Sequence, residues 1–109
     1  MNEIVLVYVP FASRSAAEST ARAMVEQRLA ACANLLGEST SIYPWDGAIE
    51  TTSEAPVLFK TATDRRDELM VMLGQVHDYD VPAILAWNVV TTPSYAQWIW
   101  AETRPNPAT

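Results

Sequence analysis

Hydrophobic and polar positions along this chain change period several times, and each change marks an element. From Glu3 to Pro10 the sequence EIVLVYVP is β-branched and aromatic and closes on proline, which predicts a strand buried on both faces. Ser15-Ala16-Ala17-Glu18 has the spacing of a capping box, in which the serine and the glutamate satisfy free backbone donors at a helix start. Ala17, Ala21, Met24, Val25 and Leu29 then recur at three- and four-residue steps, giving one apolar face backed by Arg22, Glu26 and Gln27.

The period returns to two in CANLLGE and TSIYPW, a strand interrupted at Gly37, where a bulge or bend costs little. Asp46-Gly47 is a strong hairpin signal because a two-residue turn wants positive φ at its centre. Pro44 cannot donate to a ladder and belongs on an edge. The second arm runs from Ala48 toward Ser53, and APVLFKTA continues as a strand. Asp64 is placed to N-cap a second helix, DRRDELMVMLGQV, with Leu69, Met72, Leu73 and Val76 on one face. Met70 falls off that stripe, so helical spacing reads the methionines as packing rather than as soft-metal ligands. AILAWNVV is a further strand, Pro93 opens a helix PSYAQWIWAET, and RPNPAT reads as a frayed tail.

The order β-α-β-β-α-β plus a terminal helix is the split βαβ, or ferredoxin-like, arrangement. It is an α+β fold with a four-stranded antiparallel sheet, two helices on one face and an extended hairpin. Residues 1–104 form one domain and 105–109 a short flexible tail. The second sheet face needs a cover, and the chain is too short to supply all of it. Four tryptophans and four tyrosines, several in the hairpin and near the C-terminus, suit an interface, so an oligomer is expected.

Composition removes several function classes. A net charge of -6 with scattered basic residues argues against nucleic acid as a partner. The apolar run from Ile4 to Val9 is too short for a membrane span or a signal core, and Cys32 stands alone, so a soluble protein of the reducing cytoplasm is expected. The glycines Gly37, Gly47 and Gly74 make no phosphate loop, so no organic cofactor is evident. With one histidine there is no visible nucleophile, base and orienter set, and the chain reads as a non-enzyme. Asp78 and Asp80 lie two residues apart and would share a side of an extended segment, where a solvated pair is the ordinary reading.

RLAACANLL, SIYPWDGAI, FKT, HDYDVPAI and YAQWI, in this order over about nine tenths of the chain, resemble the CutA-type divalent-cation tolerance proteins. The resemblance implies a fold like that of the PII signalling proteins and a tight homotrimer whose hairpins pair across subunits. It also implies a cytoplasmic role in tolerance to copper and other divalent metals. The hairpin residues Tyr43, Trp45, Asp46 and Gly47 would then lie at the trimer junction. Two departures stand out. The family commonly has a lysine after the tryptophan and a glutamate after the glycine, where this chain has Asp46 and Ala48. It also commonly reads His-Pro-Tyr-Glu-Val-Pro-Glu where this chain reads His77 to Ala83, with Asp78 at the second position, Asp80 for the first glutamate and Ala83 for the second.

Two sites are therefore candidates. Copper(II) or another divalent metal would draw on Cys32, His77 and Asp80, the imidazole and thiolate being the donors copper prefers. Packing as a small apolar side chain is the ordinary reading of Cys32, and hydrogen bonding in the loop that of His77. Alternatively, Lys60, Trp45, Tyr79, Tyr95 and Trp98 could line a cleft between subunits for an anionic or planar metabolite, as in a ligand sensor. A trimeric scaffold for a protein partner is a third reading.

Overall fold

The computed structural model describes residues 2–106; of the expected tail, 107–109 lie outside the described residues. Five strands and three helices follow one another as β1 (Glu3–Phe11), α1 (Arg14–Glu26), β2 (Cys32–Leu35), β3 (Ser39–Trp45), β4 (Ala48–Thr61), α2 (Arg66–Val76), β5 (Leu85–Val90) and α3 (Pro93–Glu102). The sheet is antiparallel, in the order β2-β4-β1-β5, with β3 also on β4. This is the expected α+β arrangement with one strand more than four, because CANLLGE and TSIYPW form two strands along the same edge of β4.

Proline explains that split. Pro10 lies directly opposite Pro56 across β1 and β4. Neither ring has a backbone donor, so the two must face each other as a non-hydrogen-bonded pair with their carbonyls turned outward. The Pro56 carbonyl accepts from Leu36 N at 2.9 Å, but no N–H stands beside it to continue the ladder. The edge strand ends there, at Leu35, and restarts at Ser39.

Register sorts the side chains by face. Val5, Val7 and Val9 lie opposite Thr61, Phe59 and Val57 and are buried under α1 and α2, with Ala17, Ala21, Met24, Leu69 and Leu73. Leu6 and Tyr8 occupy the other face and are only half-buried, so the first strand is not sealed on both sides. Ile99 of α3 closes one end of that face against Ile4, Ala31 and Ala62. Toward the other end, Leu85 and Trp87 remain 53% and 45% exposed beside Tyr8 and Leu6, an apolar surface with no cover in the chain.

Other local expectations shift. Ser13, not Ser15, caps α1: its side chain accepts from Ala16 N at 3.1 Å. Leu29 is buried outside the helix, delivered by Arg28 at φ 62, while Val25 and Val76 are exposed. Met70 joins Met72 against the core. Asp64 caps nothing; it sits in a short 3-10 turn and binds Arg104 through both oxygens at 2.7 Å. That ion pair joins the entrance of α2 to the end of α3. Arg28 adds a second tie by donating to the carbonyls of Ala101 and Arg104 at 2.9 and 2.8 Å, where the helix dipole is negative.

The hairpin is the extended element. β4 pairs with β1 only through Ala55 to Thr61; its first seven residues pair with β3 alone and project beyond the core. The radius of gyration, 14.7 Å, exceeds the ~13 Å of a compact chain of this size for that reason. At the tip Asp46 and Gly47 have φ of 51° and 82°, the left-handed pair that a two-residue hairpin turn requires.

Two outcomes test this account. Gly47→Ala places a Cβ at positive φ and should destabilise the hairpin by about 1 kcal/mol, read from urea unfolding. The Arg104 hydrogen bonds hold the Asp64 carboxyl below its ordinary 3.8. The pair's contribution, roughly 0.5–1 kcal/mol, is therefore complete above the ordinary value and lost as pH falls through the folded-state one. Asp64→Asn should be less stable than the parent at neutral pH, with the difference vanishing as pH falls through the lowered folded-state value.

Candidate functional site

The segment between α2 and β5 folds back over the root of the hairpin, and His77 anchors it. Its Nε2 lies 2.8 Å from the carbonyl of Pro10, which can only accept, so Nε2 carries the hydrogen. Nδ1 accepts from the backbone N–H of Tyr79 at 3.1 Å. The ring stacks on Phe11 at 4.8 Å and meets Tyr79 at a tilt, 4.7 Å between centroids. Both nitrogens are thus engaged in holding the loop, and neither offers a lone pair to a metal.

The loop turns Tyr79 toward β4. Its hydroxyl donates to Glu54 Oε2 at 2.9 Å and is the donor to that carboxylate among the described residues. Glu54 is only 8% exposed. Burial, and then the hydrogen bond to Glu54, push the Tyr79 phenol up to about 12, so it remains a donor across the physiological range.

Above this pair lies an open cavity of about 470 Å³, within the range of small-molecule sites. Tyr43, Trp45 and Tyr79 supply rings, and Pro10, Val81 and Ala83 supply apolar wall. Glu54 and Asp80 are its charged residues; no basic side chain lines it among the described residues. Tyr43 is steadied by a 3.3 Å contact between its hydroxyl and that of Thr52, and Trp45 is half-exposed at the turn.

The expected sites are redistributed. Trp45 and Tyr79 share the cavity with Tyr43 and Asp80, whereas Asp46 and Gly47 form the turn beyond it. Lys60, Tyr95 and Trp98 form a separate group. The Lys60 ammonium lies 5.7 Å from the Tyr95 ring, which stacks on Trp98. Lys60 lies six positions beyond Glu54 on β4, about 20 Å along an extended strand, so one chain does not combine them into one cleft. Cys32 pairs with Lys60, and through it aligns with Leu6, whereas His77 binds at Pro10. Leu6 and Pro10 are four positions apart on β1, about 13 Å. Among the described residues no three His, Cys, Asp or Glu side chains converge as a metal cage. The Cys32 thiol is free and half-buried, 3.7 Å from Asn34 Oδ1.

Glu54 escaped the sequence reading. Its one available sign is an acid at the root of a long strand, flanked by the small residues Ser53 and Ala55.

Comparison with known proteins accords with this architecture. The family model described as CutA1 divalent ion tolerance protein matches residues 5–102. A "Divalent-cation tolerance protein CutA" of Pyrococcus horikoshii is 35% identical over 102 residues, covering 93% of this chain and 99% of that protein. "Protein CutA" of Mus musculus is 39% identical over 93 residues, 84% of this chain, which spans about half (52%) of the mouse protein. The crystal structure of the divalent ion tolerance protein CutA1 from Ehrlichia chaffeensis superposes with a TM-score of 0.90 at 28% identity, covering 95% of this chain and 98% of that one. The chain belongs to the CutA1 divalent ion tolerance family.

Proposed function

We propose that this protein serves divalent-cation tolerance as a non-catalytic, homotrimeric ligand-binding module of the cytoplasm, and that its working site is the cavity under the hairpin. The observation that carries this reading is the buried Glu54 carboxylate, fixed by Tyr79 on one oxygen and open on the other, beneath three aromatic rings. A role in divalent-cation tolerance is what the name of the Pyrococcus relative suggests. The free Cys32 thiol suits a reducing compartment.

The trimer follows from the family resemblance, and two features support it. Leu85 and Trp87 leave an apolar patch on the open sheet face. The projecting half of β4 and all of β3 each present one unpaired backbone edge, a surface that proteins ordinarily pair or block. Ile42 and Ile49, 69% and 71% exposed on that arm, suit burial against another copy.

Direct copper ligation is the second reading, favoured by the free, half-buried thiol of Cys32. It would need ligands from more than one subunit, because His77 has spent both nitrogens and Asp80 lies at the other end of the sheet.

Native mass spectrometry of reduced, metal-free protein should give a trimer that Trp87→Glu breaks into monomers. On titration with copper it should show only adducts that Cys32→Ala and His77→Ala leave unchanged. A stoichiometric copper-loaded trimer abolished by those substitutions would overturn the cavity reading in favour of a metal centre. Tyr79→Phe leaves the Glu54 carboxylate without its donor and should cost about 1–3 kcal/mol in urea unfolding. In a panel of small metabolites, the compound that raises the parent's Tm should raise that of this variant less.

A further inference from the structure

We infer that the cavity under the hairpin takes a small organic cation, a substituted ammonium, with its charge against Glu54 and its alkyl groups against the faces of Tyr43, Trp45 and Tyr79. The inference rests on reading that cavity as the ligand site and adds the chemical class of the ligand. Three observations carry it together: the buried carboxylate, the rings and the sign of the charge.

Glu54 is more than nine-tenths buried, and among the described residues the Tyr79 hydroxyl is the donor to its carboxylate, the second oxygen keeping only a narrow contact with solvent. A carboxylate with little access to water is costly unless charge or hydrogen bonds compensate it, and the Tyr79 hydroxyl compensates one oxygen only. A cation at the other oxygen completes the arrangement. The rings then favour one kind of cation. Aromatic faces attract a positive charge through their quadrupoles, most strongly where water is displaced, and alkylated ammonium ions match such walls because they lose little hydration there.

Competing ligand classes fit less well. An anion would meet Glu54 and Asp80 with no basic side chain of the same chain on the wall among the described residues, and that chain's Lys60 is about 20 Å away along β4. A bare divalent ion wants several oxygen or nitrogen donors at once, whereas the cavity offers two carboxyls among rings and apolar walls. Ala83 adds a methyl, without charge, to that apolar wall. Asp80, exposed at the rim, adds attraction without itself being desolvated.

The test is calorimetric titration of the intact protein with choline chloride and, separately, with neohexyl alcohol, which replaces the ammonium nitrogen of choline with carbon. The change in tryptophan fluorescence that a Trp45→Phe variant lacks serves as the second readout. Choline should bind saturably, at one per chain, at least about tenfold more tightly than its uncharged twin, a difference of ~1.4 kcal/mol. Glu54→Gln should remove about that factor for choline and leave the alcohol unchanged. Asp80→Asn, a rim substitution that does not threaten folding, should weaken choline a few-fold and make its binding less sensitive to salt. Equal binding of the two compounds, insensitive to both substitutions, would overturn the cationic class while leaving the cavity a ligand site. If neither choline nor the alcohol binds or changes the tryptophan fluorescence, the cavity reading itself fails with it.

Discussion

The structure depends on the continuity of β4. This single strand of 14 residues carries the core in its second half and the projecting arm in its first, and it is the common partner of β1, β2 and β3. Because side chains alternate along it without a break, the face that bears Leu58 and Lys60 next to the open side of the sheet also bears Glu54 and Thr52 in the arm. The cavity and the uncovered apolar patch therefore lie on the same side of the molecule. A slip of one residue would send Glu54 to the opposite face, away from Tyr79, and Phe59 out of the core.

Much of this fold was legible in the amino-acid order, for reasons that are local. β1, the Asp46-Gly47 turn and the proline that opens α3 each rest on a preference that acts within a few residues: β-branching, positive φ and a fixed φ at N1. Ends of elements were less legible because tertiary partners decide them. Asp64 has the side chain of a helix cap, but Arg104, 40 residues away, takes both of its oxygens. Leu29 keeps helical spacing with Met24 and Val25, yet Arg28 turns left-handed, and Leu29 reaches the core from a loop. The division of the edge into β2 and β3 was half visible at Gly37; its cause, the facing pair Pro10 and Pro56, needs a register that only pairing supplies.

The site was legible as a set of residue types and not as a set of neighbours. Trp45, Tyr79, Tyr43 and Asp80 were picked out and line one cavity, while Lys60, Tyr95 and Trp98 lie toward the far end of the same sheet, where only a second subunit could bring them to it. Aromatic and basic residues advertise binding by composition, whereas distance along a strand is invisible until the strand is known to be unbroken. Glu54 was missed for the opposite reason. On an edge strand an acid is usually solvated, and only the folding back of residues 77–83 buries this one.

That fold-back gives His77 its meaning. Pro10 must turn its carbonyl away from Pro56, toward the side where β5 begins only at Leu85, opposite Tyr8. The carbonyl would be left unpaired at the sheet end, and the His77 Nε2–H supplies the missing donor. The ring's other nitrogen then positions Tyr79, whose hydroxyl in turn holds Glu54. Four groups in series, from a proline pair in the sheet to a carboxylate in the cavity, thus use a histidine as a spacer with two fixed hydrogen-bonding ends. A metal at either nitrogen would have to break one link of this chain. The residue type that most suggested copper is the one whose geometry most directly builds the cavity instead.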